Sequence, residues 1–447
     1  MLYLFDSFSK EKIDFSPINP NNVRLYVCGP TVYDLIHVGN ARPLIVFDVL
    51  YRLLRHMYPK VIYVRNITDI DDKIMARAKE RNIDIHTLTS QTIEDFHKDV
   101  AALGTLAPDF EPKATEYVDS MISMIESLIE QGFAYAADHH VLFRVKSYPA
   151  YGSLSKLPHQ ELEDGARVEV ASYKEDPKDF VLWKPSDDGQ TGWNSPWGRG
   201  RPGWHIECSV MSSALLGQNF DIHGGGIDLI FPHHENEMAQ SCCFHSVPKM
   251  VNVWMHNGHL QINGEKMSKS LGNFFTVREV LEKAPGETIR YAFLNTHYRQ
   301  PMDFSEDKLT QAQNNINRFY LAVRNFESVE TTTPFDEFMD ALHDDMNTPL
   351  ALSVLHEKTT ELNKTKNPDL AAKIKASCQL LGLLQSSATE WFSGNINIDH
   401  IEKLIEERNQ ARINKNFDKA DEIRQVLEKE KVILEDTVNG TLWRVIH

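Results

Sequence analysis

Cysteine is scarce: Cys28, Cys208, Cys242, Cys243 and Cys378 are the only thiols in 447 residues. Five in a chain of this length do not make a disulfide framework, so the open question is whether any of them bind metal. Long hydrophobic runs are missing too. The most apolar stretch, residues 44–54, is interrupted by Asp48 and Arg52 and falls short of the roughly 20 residues a bilayer requires. The opening MLYLFDSFSKEK has neither the basic stretch nor the apolar core of a secretory leader. The expectation is a cytoplasmic protein with no membrane partner. Positive charge is also short, with 47 Lys and Arg against 63 Asp and Glu for a net charge of −16. That argues against nonspecific adhesion to nucleic acid, but a local basic stripe remains compatible with RNA binding. The composition that remains, 42% apolar and 25% charged, is that of a soluble globular protein. The chain is too long for one core and suggests about three domains.

Leu25 to Cys28 is a short apolar run closed by Gly29-Pro30, and a helical pattern from Ala41 to Arg55 leads to a second strand at Val61 to Val64. That βαβ order implies a parallel sheet. Met121, Ile122, Ile125, Leu128 and Ile129 stand at helical spacing. Pro, Gly and Trp punctuate residues 148–203, which read as an insertion. Helical signals dominate from Pro301, and Thr348-Pro349 predicts an N-cap followed by proline at the first helical position. The polar stretch Ser386 to His400 reads as a linker. Beyond it, helices are expected at Ile401–Ile413 and Asp418–Lys429, and a hairpin about Asn439-Gly440.

Three motifs carry chemistry. His37-Val38-Gly39-Asn40 lies between a strand and a helix, where free N–H groups can receive a phosphate; a plain helix-capping loop is the alternative. Lys266-Met267-Ser268-Lys269-Ser270, preceded by Gly264, suits a mobile cationic loop over a triphosphate, or an exposed basic turn. The two together are the signature pair of class I aminoacyl-tRNA synthetases. Third, His233 and Glu237 stand four apart at a helix start. With Cys28 and Cys208 they form an S, S, N, O set suited to tetrahedral Zn²⁺, although buried structural cysteines and a salt-bridged helix fit the spacing as well. Other matches are set aside. Gly198 to Gly203 fits G-x-G-x-x-G, but no strand is expected before it and no helix after it. His234-Glu235 begins a zinc-protease motif that lacks its second histidine at Met238, and His223-Gly224-Gly225-Gly226 has no accompanying nucleophile elbow. Cys242, Cys243 and Cys378 read as small buried residues.

Whole segments resemble cysteinyl-tRNA synthetases: Tyr26 to Asp34, Arg65 to Lys73, Gly203 to Cys208, His223 to Glu237 and Leu434 to Thr437. The resemblance runs nearly end to end, with Asn40 where class I enzymes often carry histidine. It implies an α/β, Rossmann-type catalytic domain over residues 1–117 and 201–250. A connective insertion would occupy 118–200, a stem-contact region 251–305, a helical bundle 306–390 and a small α+β anticodon-binding module 400–447. ATP, L-cysteine and tRNA(Cys) are the implied partners of an expected monomer, with one Zn²⁺ per chain on Cys28, Cys208, His233 and Glu237, and Mg²⁺ accompanying ATP. Catalysis falls to His37, Asn40, Lys266 and Lys269, and ATP binding to Gly39, Lys269 and Asp228. Asp228 would hold the substrate's ammonium or the adenylate ribose, and Thr68 and Trp204 would line the amino-acid pocket. In the last module Arg408, Arg412 and Lys415 stand at i, i+4, i+7, and Trp443 offers a stacking surface for tRNA. Residues 401–431 hold eight basic and eight acidic side chains, so the stripe also reads as a solvated face. Two rivals stay open: a ligase of the same build with an amino-sugar acceptor, and a non-catalytic RNA-binding relative.

Overall fold

The strand–helix alternation near the amino terminus becomes the parallel sheet it implies. A computed structural model describes residues 1–157, 172–262, 264–266, 274–393, 398–430, 432–437 and 440–445. They form two compact units: Met1–Gln313 with Asp336–Val354 and Leu380–Gly382, and Asn314–Phe335 with Leu355–Gln379 and Leu383–His447.

The first unit opens with an antiparallel hairpin, β1 (Tyr3–Asp6) and β2 (Glu11–Asp14). Strand β3 (Val23–Val27), helix α1 (Val38–Met57) and strand β4 (Val61–Arg65) follow as one βαβ unit. Val23, Leu25, Tyr26 and Val27 are all buried, as a parallel strand covered on both faces requires. After α2 (Asp72–Arg81), α3 (Ile85–Ala102) and α4 (Val118–Glu130), the chain builds a separate antiparallel sheet of β5 (Ala134–Ala137), β6 (His140–Phe143), β7 (Phe180–Pro185) and β8 (Gly200–Pro202). It then returns through α5 (Trp204–Leu216), β9 (Phe220–Gly226), α6 (Glu235–His245) and β10 (Val251–Asn257).

The parallel sheet has the order β10-β9-β3-β4. The connection through α1 leads outward from β3 in one direction, and that through α6 leads outward from β9 in the other. The strand order therefore reverses between β3 and β9, which opens a crevice beyond their carboxyl ends. A three-stranded sheet beside it contains β11 (Leu260–Ile262), β12 (Glu265–Lys266) and, after α7 (Val277–Leu281) and α8 (Gly286–Leu294), β13 (Met302–Phe304).

Helices α9 (Glu306–Val323), α10 (Asp336–His343), α11 (Thr348–Thr365), α12 (Pro368–Leu380) and α13 (Ala388–Ser393) come next. The last module packs α14 (Ile398–Ile413) and α15 (Phe417–Lys429) on the hairpin β14 (Val432–Thr437) and β15 (Gly440–Val445), around Ile401, Ile405, Ile423, Leu427, Val432 and Trp443. Among the described residues no helix is long and apolar enough to cross a membrane.

Three local expectations change. A helix does follow Gly203. Its residues Ile206 to Ser212 are all buried, so α5 has no polar face and gives no amphipathic signal. Gly203 itself is needed for close packing, since a Cβ there would lie 2.1 Å from the Val181 carbonyl oxygen. The cap of α11 is Asn347 rather than Thr348: its Oδ1 accepts the Leu350 N–H at 3.1 Å, while the buried Thr348 hydroxyl donates to Leu294. The Ser386–His400 linker contains α13, initiated by a capping box. Ser387 Oγ accepts the Glu390 N–H at 3.1 Å, and Glu390 Oε2 accepts the Ser387 N–H at 2.9 Å.

Candidate active site

The crevice at the switch between β3 and β9 is a cleft of about 600 Å³. Cys28 to Pro30 line it at the end of β3, His37, Gly39 and Asn40 at the start of α1, and Gly226 and Asp228 after β9. Residues 257–260 and Trp204 complete its walls. The first motif caps α1 reciprocally: His37 Nδ1 accepts the Asn40 N–H at 3.3 Å and Asn40 Oδ1 accepts the His37 N–H at 3.2 Å. The motif is thus a helix cap, and the same residues line the cleft. No acidic residue occupies the first turn of α1, so the positive end of its dipole faces the cleft uncompensated by its own side chains. The chain returning from the lysine loop is tied to the same place. The Val38 N–H donates to Phe275 at 3.0 Å, the Val277 N–H donates to Ile36 at 2.9 Å, and the His37 ring meets Phe274 at 5.1 Å. Lys266 ends β12, and Lys269 lies outside the described residues.

Behind the cleft wall at Cys28, four donors converge from four elements. Cys28 follows β3, Cys208 lies on α5, His233 lies in the turn before α6 and Glu237 is in its first turn. Their ligating atoms all fall within 4.8 Å of one another. Cys28 Sγ is 3.7 Å from Cys208 Sγ and 3.5 Å from Glu237 Oε1, and His233 Nε2 is 3.0 Å from that same oxygen. Tetrahedral Zn²⁺, with bonds of about 2.3 Å to sulfur and about 2.0 Å to nitrogen and oxygen, sets S···S near ~3.8 Å and S···O near ~3.5 Å. The donor set fits that ion. Electrostatics agree with this reading. Burial pushes the Cys28 thiol and the Glu237 carboxyl well above their usual ranges and pulls the His233 imidazole well below its own. A divalent cation reverses the penalty on the two acids and uses a neutral imidazole.

The family model described as the class I (C) tRNA synthetase catalytic domain matches residues 14–314, and a DALR domain model matches residues 337–387. A cysteine–tRNA ligase of Rhodospirillum centenum is 53% identical over 453 residues, covering 99% of both chains. One from Paramagnetospirillum magneticum is 54% identical over 457 residues, again with 99% of both covered. The chain belongs to the cysteinyl-tRNA synthetase family. The fold is also that of methionyl-tRNA synthetase from Mycobacterium tuberculosis, solved with methionyl-adenylate, at TM-score 0.58 and 14% identity over 81% of this chain and 89% of that one.

The sequence assignments meet this geometry unevenly. Trp204 is 41% exposed at the cleft and stacks on His233 with centroids 4.3 Å apart. Asp228 lies exposed at the cleft beside Gly226. Thr68 is 2% exposed and does not line the cleft; its hydroxyl donates to Glu207 Oε2 at 3.0 Å, one layer below. In the last module Arg408 and Trp443 are 4% and 7% exposed. Arg408 therefore leaves the proposed stripe, and Trp443 packs in the core rather than offering a stacking face. Both α14 and β15 turn these residues inward, a choice that spacing along one helix cannot register.

Four histidines around the metal donors went unassigned. His223 Nε2 and His234 Nε2 stand 3.5 and 3.3 Å from Cys28 Sγ. His234 Nδ1 lies 2.7 Å from His256 Nε2, and His205 Nδ1 lies 2.9 Å from His233 Nδ1. Two of them sit in motifs set aside as coincidental, so the signal was present but unconnected. The purified protein is expected to carry one zinc per chain by elemental analysis. Cys208→Ser should lose most of it while retaining its far-ultraviolet circular dichroism; full zinc retention would remove Cys208 from the donor set.

Proposed function

We propose that this chain activates L-cysteine with ATP and transfers it to tRNA(Cys). The observation that carries the reading is the S, S, N, O donor set that meets, at Cys28, a cleft also lined by the start of helix α1. The substrate carboxylate is already a nucleophile, so activation needs no general base. Its oxygen forms a bond to the α-phosphorus of ATP, the bond to the bridging oxygen breaks, and pyrophosphate departs. The protein's work is alignment and charge stabilisation. His37, Gly39 and Asn40 would hold the phosphates and Lys269 the transferring phosphoryl, with Lys266 supporting the loop and Mg²⁺ accompanying the triphosphate. Asp228 would take the ammonium or the ribose, and Trp204 would cover the amino acid. Thr68 would act from below through Glu207. A terminal ribose hydroxyl of tRNA then attacks the carbonyl carbon and AMP leaves.

When bound, zinc supplies a soft Lewis acid that prefers a thiol to a hydroxyl, a discrimination that shape alone limits to about 10²-fold. Serine is then rejected at activation. X-ray absorption at the zinc edge tests this directly: cysteine should add one sulfur to the shell and serine nothing. An unchanged shell with cysteine overturns the selection role.

Lys269→Ala should lower cysteine-dependent ATP–pyrophosphate exchange by about 10²-fold or more with zinc content intact, as loss of a contact made in the transition state does. Unchanged kcat in that exchange refutes the role.

Residues 118–200 are proposed as the connective insertion, 251–305 as the stem-contact region, 306–390 as the bundle and 400–447 as the anticodon reader, in a cytoplasmic monomer. In that reader Arg412 and Lys415 are exposed, and Phe417, 60% exposed at the first residue of α15, offers the aromatic face that Trp443 does not. An amino-sugar acceptor would need no such module. Removing residues 400–447 should spare pyrophosphate exchange and raise KM for tRNA in charging. Equal KM in the full-length and shortened enzymes would remove the module from tRNA recognition.

A further inference from the structure

Arg42 stands in the second turn of α1, two residues past the phosphate-binding motif, and is 1% exposed. Its guanidinium donates only to backbone carbonyls. Nη1 reaches Gly258 and His259, each at 2.7 Å, and Nη2 reaches His297 at 3.3 Å and Gln300 at 2.5 Å. All four terminal N–H groups are thereby used, and no carboxylate is among their acceptors.

The acceptors are not arbitrary. Residues 258–259 run directly into β11, which continues through β12 toward the lysine loop, and residues 297–300 run into β13, the parallel partner of β11. The two segments are joined to each other by the Gly258 N–H to Tyr298 at 2.8 Å and the Met302 N–H to His259 at 2.9 Å. Gly258 and His259 line the same cleft as His37 and Asn40. One planar fork thus links the helix that carries His37 and Asn40 to the segments at 258–259 and 297–300. A buried cation without a counter-ion is costly to keep, and burial pulls the Arg42 guanidinium down to about 10, still protonated at neutral pH. Only a rigid fork matches four carbonyls at once; an ammonium is a point charge with three donors on a flexible stem.

We propose that Arg42 is a positioning residue for nucleotide activation, setting the separation between the phosphate-binding start of α1 and the strands that lead to the lysine loop. This rests on the synthetase reading above. It differs from a merely structural role in what it moves: the chemical step and ATP, but neither the metal donors nor cysteine.

The test is cysteine-dependent ATP–pyrophosphate exchange by the full-length zinc enzyme and by Arg42→Lys, with KM for ATP and for cysteine, zinc content and thermal midpoint measured in parallel. Arg42→Lys should lower kcat by about 10²-fold, the scale of a misplacement of roughly 1 Å. KM for cysteine and zinc content should stay at the unmodified values. No exchange in the unmodified enzyme would fail the synthetase reading and not this one. A kcat within about twofold of the unmodified enzyme overturns the positioning role, as does a variant that loses zinc and cysteine binding together with activity. If Arg42→Lys does not fold, Gly258→Ala decides by the same readouts. Its Cβ would lie 2.6 Å from the Gln300 oxygen and 2.7 Å from that of Arg299, forcing the same two segments apart with Arg42 intact. Unchanged kcat there overturns the proposal.

Discussion

The adjacent carboxyl ends of β3 and β9 are the constraint on which the catalytic unit depends. The register pairs Tyr26 with His223 and Val27 with Gly224, and the Cys28 N–H reaches the Gly224 oxygen at 3.1 Å. That pairing fixes the first sulfur donor beside the glycine run of β9. A side chain at position 224 could not enter there, because its Cβ would lie 2.3 Å from the Phe47 ring. The crossovers through α1 and α6 leave in opposite directions, so the helix that begins at His37 and the helix carrying Glu237 rise on either side of one crevice. Sheet topology, more than any motif, brings the His37–Asn40 helix start and the Cys28 donor cluster to one crevice.

Dryness gives the donor cluster its character. Cys208, His233 and Glu237 are 1% exposed or less, and His223, His234 and His256 around them are buried. In water such donors would be weak and indiscriminate ligands. Here burial holds His205 down to about 4 and His256 down to about 3, so these imidazoles are neutral and can orient their neighbours without adding charge near a cation. The chain from His234 through His256 to Ser7 Oγ, 2.8 Å beyond, ends in the turn of the β1–β2 hairpin, which ties the amino terminus to the donor cluster.

Helix α1 links most of the unit's parts. Its start faces the cleft and Arg42 grips both entering strands. Further along, Asp48 accepts from Arg52 at 2.8 Å, from the Leu106 N–H at 2.6 Å and from the buried Arg290 of α8. Asp345 does comparable work for the 297–300 segment that Arg42 grips. In a left-handed conformation (φ 58°) it accepts from the Phe5 N–H, the Tyr298 hydroxyl and Arg299 at 2.9, 2.6 and 2.7 Å. Removing one partner from a buried pair such as Asp48–Arg290 typically costs about 3–5 kcal/mol.

Much was legible in the chain alone. The βαβ start follows from Leu25–Cys28, the α1 periodicity and Val61–Val64, because apolar spacing and Gly-Pro punctuation are local. The candidate metal donors and both signature motifs were nameable because the resemblance covers the segments that hold them, although their spacing left bland readings open. The sequence did not reveal α5, since a helix whose central turns, Ile206 to Ser212, are buried all round has no period to read. Nor did it reveal the burial of Arg408 and Trp443, since a stripe along one helix says nothing of what packs on it. His223, His234 and Arg42 acquire their places only when β9, α6 and the 297–300 segment converge. Local sequence determines which elements form and which side chains are chemically able. Only the folded topology decides which of them meet, because donors some 200 residues apart in the chain are brought within 4 Å by strand order and burial alone.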